Sequence, residues 1–205
     1  MKHAVILIPG LSDNANNLQF VTNNWEQKHD ITPYVHVVPW TSNTENFDAK
    51  LERLIHKIDI LSEKKHRVSL IGTSAGGSCV INAFCKRRSQ IHKVVNVCGR
   101  LKKGTHVFPS LDFACRRSPS FKDSVLLCEK NIETLSTKDK QKIMTVSSLF
   151  DEAVPLSLMS INGAYNIRII SLEHAISIAL ALTLYSQKIT DFLLTKNSSS
   201  FLPYS

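Results

Sequence analysis

Three side chains in this sequence could together turn a serine into a nucleophile: Ser74, Asp151 and His174. A serine hydroxyl attacks a carbonyl only when it is exposed, free of steric cover and paired with a base. Ser74 stands in Gly72-Thr73-Ser74-Ala75-Gly76, between the apolar run Val68-Ser69-Leu70-Ile71 and a helical stretch. Small neighbours permit a tight strand-to-helix corner that lifts the hydroxyl clear of a sheet. Taken alone, the pentapeptide also reads as an ordinary βα turn or a phosphate-cradling loop. Gly72, Gly76 and Gly77 do not give the G-x-G-x-x-G spacing of a dinucleotide site, and no Gly-Lys-Ser/Thr follows for a P-loop.

A base must take the Ser74 proton, and a carboxylate must hold that base in one tautomer. Beyond Ser74 lie only His92, His106 and His174, and His174 alone also follows Asp151. Asp151 ends the loop after a strand-like run from Ile143 to Ser147, with a second carboxylate, Glu152, beside it. His174 comes after another strand-like run, Ile167 to Leu172, and is expected in a strand-end loop. Singly, Asp151 is as readily a turn residue or helix cap, and His174 a helix-entry residue. Together they stand in the order serine, acid, histidine, each just past its own strand.

In this order, and in four sequence pieces, the chain resembles the α/β-hydrolase family over nearly all of its length. The pieces are Ile6-Leu7-Ile8-Pro9-Gly10-Leu11, Gly72-Thr73-Ser74-Ala75-Gly76, Asp151-x-x-Val154-Pro155, and His174. The resemblance implies a catalytic set of Ser74, Asp151 and His174, and an oxyanion hole made by the backbone N–H groups of Leu11 and Ala75. It implies no metal and no organic cofactor. The chain departs from the family pattern at Pro9, where many members have histidine, and at Phe150 and Glu173, where glycines are frequent.

The elements that must position these residues alternate between strand and helix, which points to a parallel α/β sheet. Expected strands are Ala4–Ile8, Val35–Trp40, Val68–Ile71, Val94–Cys98, Ile143–Ser147 and Ile167–Leu172. Ser42-Asn43-Thr44-Glu45 reads as a capping box with Ser42 as N-cap. It opens a helix carrying Phe47, Leu51, Leu54, Ile55, Ile58 and Leu61 on one stripe. A second helix spans Ala75–Arg88, and a third starts at Ser118-Pro119 with proline in its first position. The fold class is therefore an open, mostly parallel six-stranded sheet with helices on both faces, a minimal α/β-hydrolase fold. Residues 1–195 form one domain in this reading, and 196–205 a frayed tail. If the family strand order holds, the second strand lies outside the first and the others run outward on the far side. Two rims are expected for a pocket over Ser74: the polar segment Leu11 to Trp25, and the irregular stretch Arg100 to Arg117 with His106, Phe108, Leu111 and Phe113. Packing of those aromatics on the sheet edge is the alternative. Trp25 is expected to pack beneath its loop.

Composition excludes several other classes. With 205 residues, 43% hydrophobic and 20% charged, the chain can build a sizeable core. Five scattered cysteines without a C-x-x-C pair give no metal or redox motif and suggest a reduced, cytoplasmic protein. Met1-Lys2-His3 leads straight into a strand, unlike a signal peptide. The apolar run from Ala175 to Tyr185 is too short to span a bilayer and reads as a core-packed helix. The net charge of +8 is spread over basic clusters at residues 64–67, 86–88, 102–103 and 116–117. No nucleic-acid motif accompanies them, so they read as solvated faces that could favour anionic substrates. The expected function is hydrolysis of an acyl bond, an ester first, in a small-molecule substrate, through an acyl-Ser74 intermediate. A thioesterase, an amidase or an acyltransferase would use the same residues, and a non-catalytic binding protein could stand on the same scaffold. Neither nucleic acid nor stable membrane insertion is expected, and the oligomeric state is left open.

Overall fold

In the computed structural model of the protein, residues 1–12 and 15–195 are described; the expected tail at 196–205 lies outside them. The elements, in chain order, are β1 (His3–Ile8), α1 (Ala15–Thr22), α2 (Trp25–His29), β2 (Ile31–Val35), α3 (Phe47–Glu63), β3 (Arg67–Thr73) and α4 (Gly76–Lys86). There follow β4 (Ile91–Val97), α5 (Leu111–Cys115), α6 (Pro119–Glu133), α7 (Thr137–Lys140), β5 (Ile143–Ser148), β6 (Tyr165–Ile169), α8 (His174–Leu182) and α9 (Ser186–Leu194).

The six strands form one sheet in the order β2-β1-β3-β4-β5-β6, and every neighbouring pair is parallel. Strand alternation divides two cores. Ala4, Ile6 and Ile8 of β1 face the helices α3, α4 and α6, while Val5 and Leu7 face α1, α2, α8 and α9. The chain order reverses between β1 and β3, where open parallel sheets place their ligand crevices. The loops after β1 and β3 carry Gly10-Leu11 and Ser74, so both leave the sheet at that crevice.

The second strand differs from expectation. It is Ile31–Val35, not Val35–Trp40. Pro33 is accommodated because β2 is an edge strand. The apolar alternation at Val38 and Trp40 has another origin: both are buried in the α3 core from an extended connection, and the Trp40 indole donates to the Pro9 carbonyl at 3.2 Å. The start of α3 also differs. Its N-cap is Asn46, which accepts the Ala49 N–H at 3.0 Å, whereas the Ser42 hydroxyl contacts Thr44 and Glu45 pairs with Arg53. The helix begins where Phe47 first reaches the core. Ser118 does cap α6 with Pro119 behind it. The basic run that ends α4 is ion-paired throughout, Lys86 to Glu52, Arg87 to Asp59 and Arg88 to Asp139.

The apolar run after His174 is not packed in the core along its whole length. It splits into α8 and a turn, and leaves Ile176 and Leu184 exposed. Among the described residues no helix is long and apolar enough to cross a membrane. The five cysteines are free thiols, and burial pushes Cys79, Cys98 and Cys115 up to about 12.

At the amino end of the sheet, far from Ser74, His3 meets Ser69 at 2.9 Å and lies edge-on to His92 at 5.8 Å. Burial, then the neighbouring His92 and Arg67, lower His3 to about 4. Burial, then Arg67 and Lys93, do the same to His92. His36 is lowered to about 4 by burial and by Lys57 and Arg53. An unfolded histidine titrates near ~6.5, so between that value and about 4 the unfolded chain binds more protons than the native one. Stability from these rings is complete above the upper value and is lost as pH falls toward the lower. The melting temperature is therefore expected to drop between neutral pH and pH ~5, above the range in which unfolded carboxylates titrate. His92→Gln should flatten that drop; a melting temperature constant across this window would contradict the assignment.

Candidate active site

The three candidate side chains, Ser74, Asp151 and His174, sit one, three and five residues past the carboxyl ends of β3, β5 and β6. Ser74 follows β3 at φ 51°, a left-handed conformation that costs a non-glycine residue energy. The turn persists because its surroundings dictate it. The Ser74 N–H donates to Val97 of β4 at 3.0 Å, and Gly77 N–H closes back on the Ser74 carbonyl at 3.0 Å. Close approach explains the glycines. A Cβ on Gly72 would run into the backbone of Gly76, and one on Gly76 into the Ile8 carbonyl of β1. Gly10 lies against Ser74 itself, since a Cβ there would be 2.8 Å from Ser74 Cβ. The β1 loop thus passes directly beside the Ser74 hydroxyl. Among the described residues no backbone carbonyl accepts the N–H groups of Leu11 or Ala75.

Asp151 follows β5 by three residues and carries two duties on separate oxygens. Its Oδ1 accepts the N–H groups of Ala153 at 2.9 Å and Val154 at 2.8 Å, closing the turn. Its Oδ2 is left to meet His174 Nδ1 at 2.7 Å. The aspartate side chain is wholly buried and the histidine 14% exposed. The far nitrogen of the ring, Nε2, reaches Ser74 Oγ at 2.9 Å. The structure thus brings Asp151, His174 and Ser74 into one hydrogen-bonded chain, from positions far apart in sequence.

His174 is not in a strand-end loop; it is the first residue of α8, and its placement depends on that helix end. The first N–H groups of a helix lack intrahelical acceptors. Glu173, the N-cap, accepts Ala175 N–H at 3.0 Å and Ile176 N–H at 2.7 Å, and those bonds hold its carboxyl below the usual range. Glu152 accepts the His174 N–H with both oxygens, at 3.0 and 3.3 Å. Of the two adjacent carboxylates, one therefore touches the imidazole and the other the backbone that carries it. This role of Glu152 is not visible in sequence, because it depends on how the two loops approach each other.

A cleft of about 360 Å³ opens beside Ser74, between α1 and α8. Its polar end is Ser74, His174 and Ser12, and its walls are apolar: Leu11, Leu18 and Val21 on one side, Ala175, Ile178, Ala179 and Leu182 on the other. The segment after β1 is thus one rim, as expected, although part of it is helical. Trp25 packs in the core away from the cleft. The stretch 100–117 contributes no lining residue, and its Phe108 and Phe113 are exposed instead of packed. The α8 wall was missed in sequence, where positions 175, 178, 179 and 182 fall on one helical stripe right after His174. Among the described residues, no cluster of three or more His, Cys, Asp or Glu side chains is arranged to hold a metal ion.

No family profile matches the chain, and no curated protein sequence is similar to it. Similarity appears in three dimensions. A structure of the metagenome-derived lipolytic enzymes LipS and LipT superposes with TM-score 0.65 at 11% identity, over 93% of this chain and 91% of that one. The monoacylglycerol lipase of Paleococcus ferrophilus gives 0.62 at 13% identity, covering 93% of each chain. An alpha/beta hydrolase superfamily protein from Enterococcus faecalis gives 0.55 at 14%, over 93% and 90%. Six parallel strands in this order, a left-handed serine at the turn after β3, and these likenesses lead to one conclusion: the chain has the α/β-hydrolase fold.

Proposed function

We propose that this protein is a serine hydrolase that cleaves carboxylic esters bearing an apolar chain. The reading is carried by the unbroken line from Asp151 through His174 to Ser74, with a ring nitrogen 2.9 Å from the hydroxyl. His174 Nε2 takes the Ser74 proton as Oγ attacks the ester carbonyl. Asp151 keeps the other ring proton on Nδ1 and stabilises the imidazolium that forms. The backbone N–H groups of Leu11 and Ala75 receive the negative charge on the carbonyl oxygen. Collapse of the tetrahedral intermediate expels the alcohol, to which His174 returns the proton. Water, deprotonated by the same ring, then releases the acid from Ser74. No step needs a metal or an organic cofactor.

The apolar cleft supports a substrate with a hydrocarbon arm. A buried methylene is worth about 0.8 kcal/mol, or roughly a factor of four in kcat/KM when transition-state binding gains it. Hydrolysis of nitrophenyl esters is therefore expected to rise from acetate through butyrate to octanoate. Ala179 lies on the α8 wall of the cleft. Ala179→Phe should fill the slot, depress the octanoate rate by at least about tenfold, and leave acetate little changed. A folded protein that turns over no ester contradicts the proposed function. An unaltered chain-length profile in Ala179→Phe contradicts the placing of the chain in this cleft.

A further inference from the structure

The segment between β4 and α6 takes no part in the cleft, yet it is built to hold a definite shape. It begins at Gly99, packed so closely on the Ser74 carbonyl that no side chain would fit, and so it leaves the sheet beside the nucleophile. Arg100 is almost completely buried, and its guanidinium donates to the carbonyls of Lys102, Lys103 and Pro109. One buried cation thus gathers the loop from beneath.

What the loop presents is unusual for a surface exposed to water. Phe108 is 83% exposed and Phe113 50%, with their rings 5.7 Å apart. The Arg116 guanidinium stands 4.7 Å from the Phe113 ring centre. Lys103, His106 and Arg117 are exposed on the same segment. The sole acid between residues 101 and 117, Asp112, is ion-paired with Lys122 at 2.6 Å. Further exposed apolar side chains mark the same carboxyl end of the sheet: Phe150 after β5, Leu172 after β6, and Ile176 in the first turn of α8.

We propose that the Phe108–Phe113 knob, with Lys103 and Arg116 around it, docks the protein reversibly on a bilayer containing anionic phospholipid. Two adjacent phenyl rings enter the acyl-chain boundary while the cations stay at headgroup level. Charge complementarity favours this occupant, since the segment is cationic and its one acid is neutralised. A nucleic acid fits less well. Stacking needs open ring faces, whereas Phe113 has Arg116 over its ring and Phe108 tilted at 41° beside it. Docking here sets the Ser74 cleft at the lipid surface, so that a lipid-borne ester could enter it; that consequence rests on the proposed hydrolase, and the docking itself does not.

The test uses the full chain carrying Ser74→Ala, so that binding is measured without turnover. Co-sedimentation is compared for phosphatidylcholine vesicles with and without phosphatidylglycerol. Each cation near an anionic surface is worth about fivefold in binding, so phosphatidylglycerol should raise partition by at least about tenfold. Phe108→Ser with Phe113→Ser should lower partition on the mixed vesicles by about tenfold or more. Lys103→Gln with Arg116→Gln should remove the preference for phosphatidylglycerol. Neither pair should alter hydrolysis of a soluble short-chain ester by the Ser74 protein. Absent vesicle binding, or binding indifferent to both pairs, overturns the proposal. So does binding of single-stranded oligonucleotides that the phenylalanine pair abolishes while vesicles stay unbound. Vesicle binding that depends on the knob, in a protein that hydrolyses no ester, upholds the docking and overturns the hydrolase.

Discussion

Replacing Ser74 by alanine is expected to remove turnover almost entirely, by on the order of a million-fold where acylation limits the rate. The expectation rests on covalent chemistry. Without Oγ there is no atom at 2.9 Å from His174 Nε2 to attack the carbonyl, and only the proposed oxyanion donors and substrate binding remain. Those alone sustain about a thousandfold over water. A fluorophosphonate should label Ser74 in the wild type, as located by peptide mapping, and label nothing in Ser74→Ala. Stability separates this loss from misfolding. Serine and alanine are equally ill suited to φ 51°, so Ser74→Ala should melt near the wild type. Glycine adopts that conformation freely, and Ser74→Gly should melt higher, since a strained residue of this kind holds roughly 1–3 kcal/mol. Labelling at another serine, or turnover surviving in Ser74→Ala, would remove the nucleophile from the proposal.

How far the sequence reveals this arrangement depends on what each residue does locally. Ser74, Asp151 and His174 could be picked out because a parallel sheet gathers the carboxyl ends of its strands at one edge. Loops that leave the strands at that edge can then bring such residues together, whatever their separation along the chain. The glycines around Ser74 are equally legible, since β1, β3 and α4 touch there backbone to backbone. The second strand was not legible. Val38 and Trp40 alternate and are buried as a strand's residues would be, but they are buried by α3 and not by a ladder, and alternation does not distinguish the two. Asn46 and Ser42 are both competent N-caps, and only the position of Phe47 against the core chooses between them. The cleft was hidden for a different reason. Its walls, α1 and α8, come from opposite ends of the chain, and their meeting is a matter of packing on the shared face of the sheet.

The adjacent carboxylates Asp151 and Glu152 give the sharpest test of the site, because one residue of register separates very different expected effects. In Asp151→Asn the amide oxygen can keep the bonds to Ala153 and Val154, so the turn should survive. The amide nitrogen would then face His174 Nδ1 and donate to it, which places the ring proton on Nε2. A protonated Nε2 cannot accept from Ser74, and kcat should fall by about 10³–10⁴-fold with little change in melting temperature. Asp151→Ala would lose the turn bonds as well, so it should be both inactive and less stable. Glu152→Gln keeps an acceptor oxygen for the His174 N–H, and activity should stay within about threefold of wild type, the loss being one charge-assisted component of a bond at a partly solvated helix end. Kinetics on a short-chain ester, with melting curves for all three variants, would decide the matter. A crippled Glu152→Gln beside an active Asp151→Asn would mean that the two loops meet one residue out of register, with Glu152 on the imidazole.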